Sequence, residues 1–112
     1  MKTIKGNLIL EKDTVFDEGI AVEGNILGKD GMKFNLTVKG NIKAWDINAW
    51  DIKAGNIDAG DINAWDIKAR DINYHAVCFA YNNITCKSIK GIRENSRHFC
   101  LDGKITIKKK GD

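Results

Sequence analysis

Residues 40–74 read GNIKA, WDINA, WDIKA, GNIDA, GDINA, WDIKA, RDINY, seven consecutive pentads. In each, Asn or Asp precedes Ile, and Ala follows two residues later except at Tyr74. A period of five suits neither ordinary element. On a helix, Ile42, Ile47, Ile52 and Ile57 would advance by about 140° per step and spiral round the axis without forming a stripe. In one continuous strand they would alternate between faces. A short extended piece followed by a corner in every pentad removes the conflict. Ile and Ala then point to one side, and the residue between them (Lys43, Asn48, Lys53, Asp58, Asn63, Lys68 or Asn73) points to water. Asp and Asn suit the corner because their short side chains hydrogen-bond nearby backbone N–H groups. Repetition of the unit winds the chain into a coil with an apolar bore, so the fold class is all-β, a parallel β-helix or solenoid.

The number of sides follows from which residues stack. Four sides give a step of about twenty residues, placing Trp45 beside Trp65 and Trp50 beside Arg70. Three sides give fifteen, aligning Gly40, Gly55 and Arg70 in one column and Trp45, Gly60 and His75 in another. The four-sided columns are more uniform in side-chain size, which favours four.

Over Gly40 to Gly91 the pattern resembles the pentapeptide-repeat family, in which five-residue units centre on an aliphatic residue preceded by Asp or Asn. That resemblance implies a four-sided, right-handed β-helix of bacterial or phage type. In the family a small inward residue sits two before the central one, whereas here Ala sits two after it. Triangular or left-handed β-helices, as in hexapeptide-repeat or bactofilin-like proteins, are the related alternatives.

The chain reads as a single domain in three stretches. Residues 1–39 carry alternating apolar runs (Phe34, Leu36, Val38) and a recurring Gly-Asn-Leu/Ile at Gly6, Gly24 and Gly40, which reads as looser opening coils. Residues 40–91 hold the pentads. Beyond Tyr74, Val77 takes the Ile slot, Ala80-Tyr81 reads as a two-residue insertion, and Ile84 and Ile89 resume the pattern. In residues 92–112 a polar break precedes two alternating runs about Asp102-Gly103, which reads as a β-hairpin capping the solenoid. Lys108, Lys109 and Lys110 add charge at that edge.

The 18 Lys and Arg against 15 Asp and Glu give a net charge of +3, too mild and too mixed for a nucleic-acid partner. Three Cys without framework spacing point to a reducing compartment, and no apolar run suggests a leader or a membrane span, so a cytoplasmic protein without a membrane partner is expected.

Trp45, Trp50 and Trp65, with Arg70, are the candidate partner or ligand surface, because exposed aromatic patches mark contact sites. Packing against the neighbouring coil, with Trp50 on Arg70, is the plainer reading. Asp46, Asp51, Asp61, Asp66 and Asp71 form an acidic series better explained as corner residues than as calcium ligands. Cys78, Cys86, His98 and Cys100 match a zinc set by residue type but not by spacing, and Cys86 falls in an inward slot, so no metal and no cofactor is expected. No nucleotide-binding or hydrolase motif is present. The expectation is a non-catalytic structural or protein-interaction solenoid, self-associating or binding a protein partner through an aromatic face or a coil end. Carbohydrate or small-ligand binding on the Trp face is one alternative. A DNA-mimic topoisomerase-interacting protein, disfavoured by the basic charge, and an acyltransferase using His75 are others.

Overall fold

In a computed structural model describing residues 1–108, the chain forms three parallel six-stranded sheets wound into one solenoid. The first sheet stacks Lys2–Lys5, Ile20–Glu23, Ile42–Lys43, Ile57–Ala59, Asp71–Tyr74 and Ser88–Gly91. The second stacks Leu8–Leu10, Ile26–Gly28, Asp46–Asn48, Asp61–Ala64, Val77–Ala80 and Arg97–Cys100. The third stacks Thr14–Phe16, Leu36–Val38, Asp51–Lys53, Asp66–Lys68, Ile84–Cys86 and Ile105–Ile107. Each coil visits the sheets in that order, so every strand pairs with the strands one coil before and after it.

The cross-section has three sides, and the expected four-sided outline is corrected. Ile42 pairs with Ile57 and Ile57 with Ile72, a step of fifteen residues. Three isoleucines, one per side, fill each coil of the strict region: Ile42, Ile47 and Ile52, then Ile57, Ile62 and Ile67, all at most 1% exposed. A bulky branched residue on each of three walls closes the bore, leaving only Ala-sized space beside the corners, and Ala49 and Ala64 are fully buried there. Uniform column size is not what selects the step, because the variable residues lie at corners facing water. There Gly55 N–H donates to Gly40 O and Arg70 N–H to Gly55 O, while Gly60 N–H donates to Trp45 O and His75 N–H to Gly60 O.

Residues 1–39 are wound into the same three sheets as coils of greater length. Lys2 pairs with Ile20 and Ile20 with Ile42, steps of eighteen and twenty-two residues. The longest excursion carries a 3₁₀ turn at Lys29–Gly31, where Asp30 and Gly31 take positive φ.

Two further expectations are corrected. Cys78, not Val77, pairs with Ile62 and enters the bore, because one extra residue is absorbed at the His75–Ala76 corner and the second near Tyr81. The runs flanking Asp102-Gly103 form no hairpin. Arg97–Cys100 adds in parallel to Val77–Ala80, and Ile105–Ile107 adds to Ile84–Cys86. Two open edges of the preceding coil were already available, and Gly103 is needed at the corner because a Cβ there would run into Asn82 O. These residues are a sixth coil, and no regular element of the described residues lies across either end. Of the lysines assigned to that edge, Lys109 and Lys110 lie outside the described residues.

The corner Asn and Asp residues stitch the coils together. Asn41 Oδ1 accepts from Asn56 N at 2.9 Å, Asn56 Oδ1 from Asp71 N at 3.3 Å, and Asp46 Oδ1 from Asp61 N at 3.1 Å. Asn25 Oδ1 does the same for Asp46 N, and Asp66 Oδ1 for Asn83 N. Strands this short leave the backbone donor at each corner outside the ladder, and a carboxylate or amide one coil below satisfies it.

Candidate functional site

The residues that face outward from each sheet stack into straight columns, and the three columns differ in chemistry. On the first sheet the pairing aligns Thr3, Ala21, Lys43, Asp58, Asn73 and Lys90. On the third it aligns Val15, Thr37, Lys53, Lys68, Thr85 and Thr106. On the second it aligns Ile9, Leu27, Asn48, Asn63, Phe79 and Phe99. The second sheet alone has no charged residue in this column, which runs beside a second outward row holding Asp46, Asp61 and Arg97 at the start of the same strands.

The corner between the second and third sheets enlarges that uncharged surface. Trp50 and Trp65 lie one coil apart, their rings parallel within 4° and 5.0 Å between centroids. Tyr81 continues the stack at 5.4 Å from Trp65. Phe79 then meets Tyr81 edge-on at 4.8 Å and Phe99 at 4.9 Å, so the aromatic run turns from the corner onto the sheet. Trp50 remains 44% exposed, Trp65 39% and Phe99 42%, despite these contacts. The loop carrying Gly31 and Lys33 stands beside the stack, and the Lys33 ammonium lies 5.8 Å from the centre of the Tyr81 ring.

The structure brings together two of the four residues singled out as a surface. Trp45, 66% exposed, projects from the opposite corner of the second sheet and borders a depression with Thr3, Ala21 and Lys43. Arg70 sits at the third corner, above Gly55, and the proposed contact with Trp50 is corrected: Trp65 occupies that place. A fifteen-residue step puts Trp50 under Trp65, whereas the pairing with Arg70 required twenty. Sequence reading missed Tyr81, Phe79, Phe99, Ile9 and Leu27, whose common column depends on the insertions and on the long early coils.

The cysteines and His98 are occupied otherwise. Cys78 and Cys86 are buried in the bore and Cys100 half-buried above Ala80. Burial, with the neighbouring Cys86 and Cys100 as lesser contributions, pushes the Cys78 thiol up to about 12. Burial also raises Cys86 and Cys100. Protonated thiols are poor nucleophiles and poor metal ligands. His98 Nδ1 is 2.7 Å from the Tyr74 hydroxyl, and Tyr74 fills an Ala slot at 1% exposure, plugging the bore beneath the last coil. Among the described residues no group of three or more His, Cys, Asp or Glu is arranged to hold a metal. Of the acidic corner residues, Asp46, Asp61 and Asp66 each give Oδ1 to a backbone N–H, and Asp71 Oδ1 accepts from the Ser88 hydroxyl.

Asp51 is the rung that fails. Its Oδ1 is shielded and without a hydrogen bond among the described residues, and burial, followed by the Asp66 charge, raises its pKa above 3.8, with the Asp66 backbone N–H opposing. Asn63 Oδ1, in the outward column of the second sheet, is likewise shielded and unpartnered.

Comparison with protein-family models, curated protein sequences and solved structures gives no match for this chain. No helix of the described residues is long and apolar enough to cross a membrane.

Proposed function

We propose that this β-solenoid is a non-catalytic structural module that associates with a second copy of itself through the outer face of the second sheet. The observation that carries the reading is the uncharged column Ile9, Leu27, Asn48, Asn63, Phe79, Phe99, bordered by the Trp50–Trp65–Tyr81 stack. Its order is symmetric about the middle of the solenoid: two apolar residues, two amides, two apolar residues. A surface of that kind matches itself, which is the requirement of a two-fold interface. Aromatic enrichment with depletion of charge is the composition of an interface centre.

The rival surfaces fit less well. Like-charged Lys53 and Lys68 on the third sheet would oppose a second copy of that face. Toward the last coil the Asn and Asp rungs lapse: Val77 in the fifth coil stands above Asp61, and Arg97, Ser88 and Lys104 in the sixth stand above Val77, Asp71 and Asn83. The last coil therefore has no Asn or Asp at the rung positions that precede its inward residues. Carbohydrate stacking needs open ring faces, and those between Trp50 and Trp65 are turned to each other. Bore-facing protonated thiols and a histidine bound to Tyr74 support a role without catalysis.

Light scattering tests the reading with wild type and a Phe79→Lys, Phe99→Lys variant, both checked for folding by circular dichroism. Twice the chain mass for wild type and a folded monomer for the variant is the expected result. A wild type that stays monomeric up to millimolar concentration, or a variant that still dimerises, overturns it.

A further inference from the structure

The corner between the third and first sheets has the opposite character to the aromatic one. Lys53 and Lys68 are in register on adjacent strands of the third sheet, an arrangement in which like charges repel. Lys87, Lys108 and Arg70 join them around one depression of about 290 Å³, and no acidic side chain lines it. None of the five cations forms an ion pair among the described residues, where the ion pairs are those of Met1 with Glu18, Lys29 with Glu11, and Lys39 with Asp17.

The floor of this depression is apolar. Ala54 and Ala69 lie in the small inward slot of the pentad, yet both are only half-buried, whereas Ala44, Ala49, Ala59 and Ala64 in the same slot are buried. At this corner Gly55 stands where the aromatic corner has Trp50. A Cβ on Gly55 would lie 2.9 Å from both Gly40 O and Asn41 Oδ1, so the glycine is required by coil stacking. Cys86 follows the two alanines, one coil on.

We infer that this groove is a binding site for a small organic anion, a carboxylate or phosphate carried on an apolar stem. The stem lies on Ala54 and Ala69, and the anionic head is held by Lys68, Lys87 and Arg70. Five cations around a low-dielectric floor focus a positive potential into the groove, and a bound anion relieves the repulsion that the Lys53–Lys68 register imposes on the empty solenoid. An inorganic anion satisfies only the rim, and an uncharged amphiphile only the floor. The site thus selects for both parts on one molecule. It lies on the far side of the solenoid from the aromatic face, so its occupation is independent of self-association.

Calorimetric titration at constant ionic strength tests this with octanoate, octyl phosphate, octyl glucoside and inorganic phosphate as probes. Saturable binding of one octanoate or octyl phosphate per chain is expected, with at least tenfold weaker binding of octyl glucoside and inorganic phosphate. The ratio between the two anionic probes identifies the preferred head group. Lys68→Glu combined with Lys87→Glu, at two exposed positions, is expected to weaken binding at least tenfold in a protein with an unchanged circular dichroism spectrum. Ala69→Leu, which fills the floor and leaves every charge in place, is expected to do the same for the alkyl anions while leaving inorganic phosphate unaffected. Absence of saturable binding by both alkyl anions overturns the inference. So does binding that survives the paired charge reversal, or inorganic phosphate binding as tightly as octyl phosphate.

Discussion

Trp65 lies flat on Trp50, 5.0 Å away and within 4° of parallel, and holds Tyr81 on its other side at 5.4 Å. It is therefore the middle member of an aromatic column running along one corner of the solenoid, each ring supplied by a different coil. Aromatic pairs contribute about 0.5–1.5 kcal/mol beyond the area they bury, so removal of the central ring forfeits two such contacts. Trp65→Ala is expected to destabilise the fold by about 1–3 kcal/mol. It should also abolish the exciton couplet that a parallel indole pair gives in circular dichroism. Trp45→Ala, which removes an exposed indole outside the column, should leave the couplet intact; loss of it in that variant would contradict the assignment of the pair.

Asp51 presents a destabilising carboxylate whose effect depends on pH. Burial first, and the Asp66 charge second, raise its pKa from 3.8 in the folded chain. A raised folded pKa means the protonated form is the one the fold favours. The associated stability is present below the ordinary value and lost as pH rises through the folded pKa. At neutral pH the cost of the carboxylate is therefore fully present. Asn supplies the same corner geometry at Asn35 and Asn83, each of which accepts a backbone N–H in this column. Asp51→Asn should raise the melting temperature at pH 7, and the gain should vanish below pH 3.8. A pH-independent gain would show that packing, not charge, is responsible.

Gly60 is a stacking requirement, not a turn requirement. Its φ is not positive, but a Cβ there would lie 2.7 Å from Trp45 O and 3.0 Å from Asp46 Oδ1. Backbone on one side and a hydrogen-bonded carboxylate on the other cannot both yield. Gly60→Ala should cost about 1–3 kcal/mol, as overpacking does. Asp58→Ala, at an exposed outward position two residues earlier, should stay within about 0.5 kcal/mol of wild type in the same chemical denaturation experiment.

The bore was legible in the sequence because Ile and Ala alternate with polar residues inside every pentad, and that contrast survives whatever the number of sides. The cross-section was not, because the discriminating residues sit at corners where Gly, Trp and Arg are all tolerated. What decides there is backbone clearance over Gly55 and Gly60 and the mutual stacking of Trp50 and Trp65, contacts between residues fifteen apart. Asp102-Gly103 misled for a related reason. The dipeptide specifies a tight corner, and whether a hairpin or a further coil follows depends on the open edges of Val77–Ala80 and Ile84–Cys86. The uncharged face was hidden by coil length, since Leu27 and Phe79 align with Asn48 and Asn63 only once the excursion at Lys29–Gly31 and the extra residue near Ala76 are placed. The single failure of the pentad at Tyr74 was visible, but its meaning required His98, twenty-four residues away.

That contact between Tyr74 and His98 closes the bore at its C-terminal end. The ring fills space that Ala occupies lower down, Gly91 leaves room for it one coil above, and the hydroxyl is 2.7 Å from His98 Nδ1. Burial is the main cause of a phenol pKa raised above 10.0. The fold thus favours the neutral phenol, and the stability it contributes is fully present below about pH 10 and lost as pH rises through the higher folded value. Tyr74→Phe keeps the ring and removes both the hydrogen bond and the titration. At pH 7 it should be less stable than wild type by about 1 kcal/mol, the net worth of one partly buried hydrogen bond. As pH passes 10 wild type should lose stability faster than the variant, so the difference narrows. Denaturant midpoints for both proteins at pH 7, 9, 10 and 11 measure this directly, and parallel curves across that range would mean that the phenol ionises as freely in the folded chain as in the unfolded one.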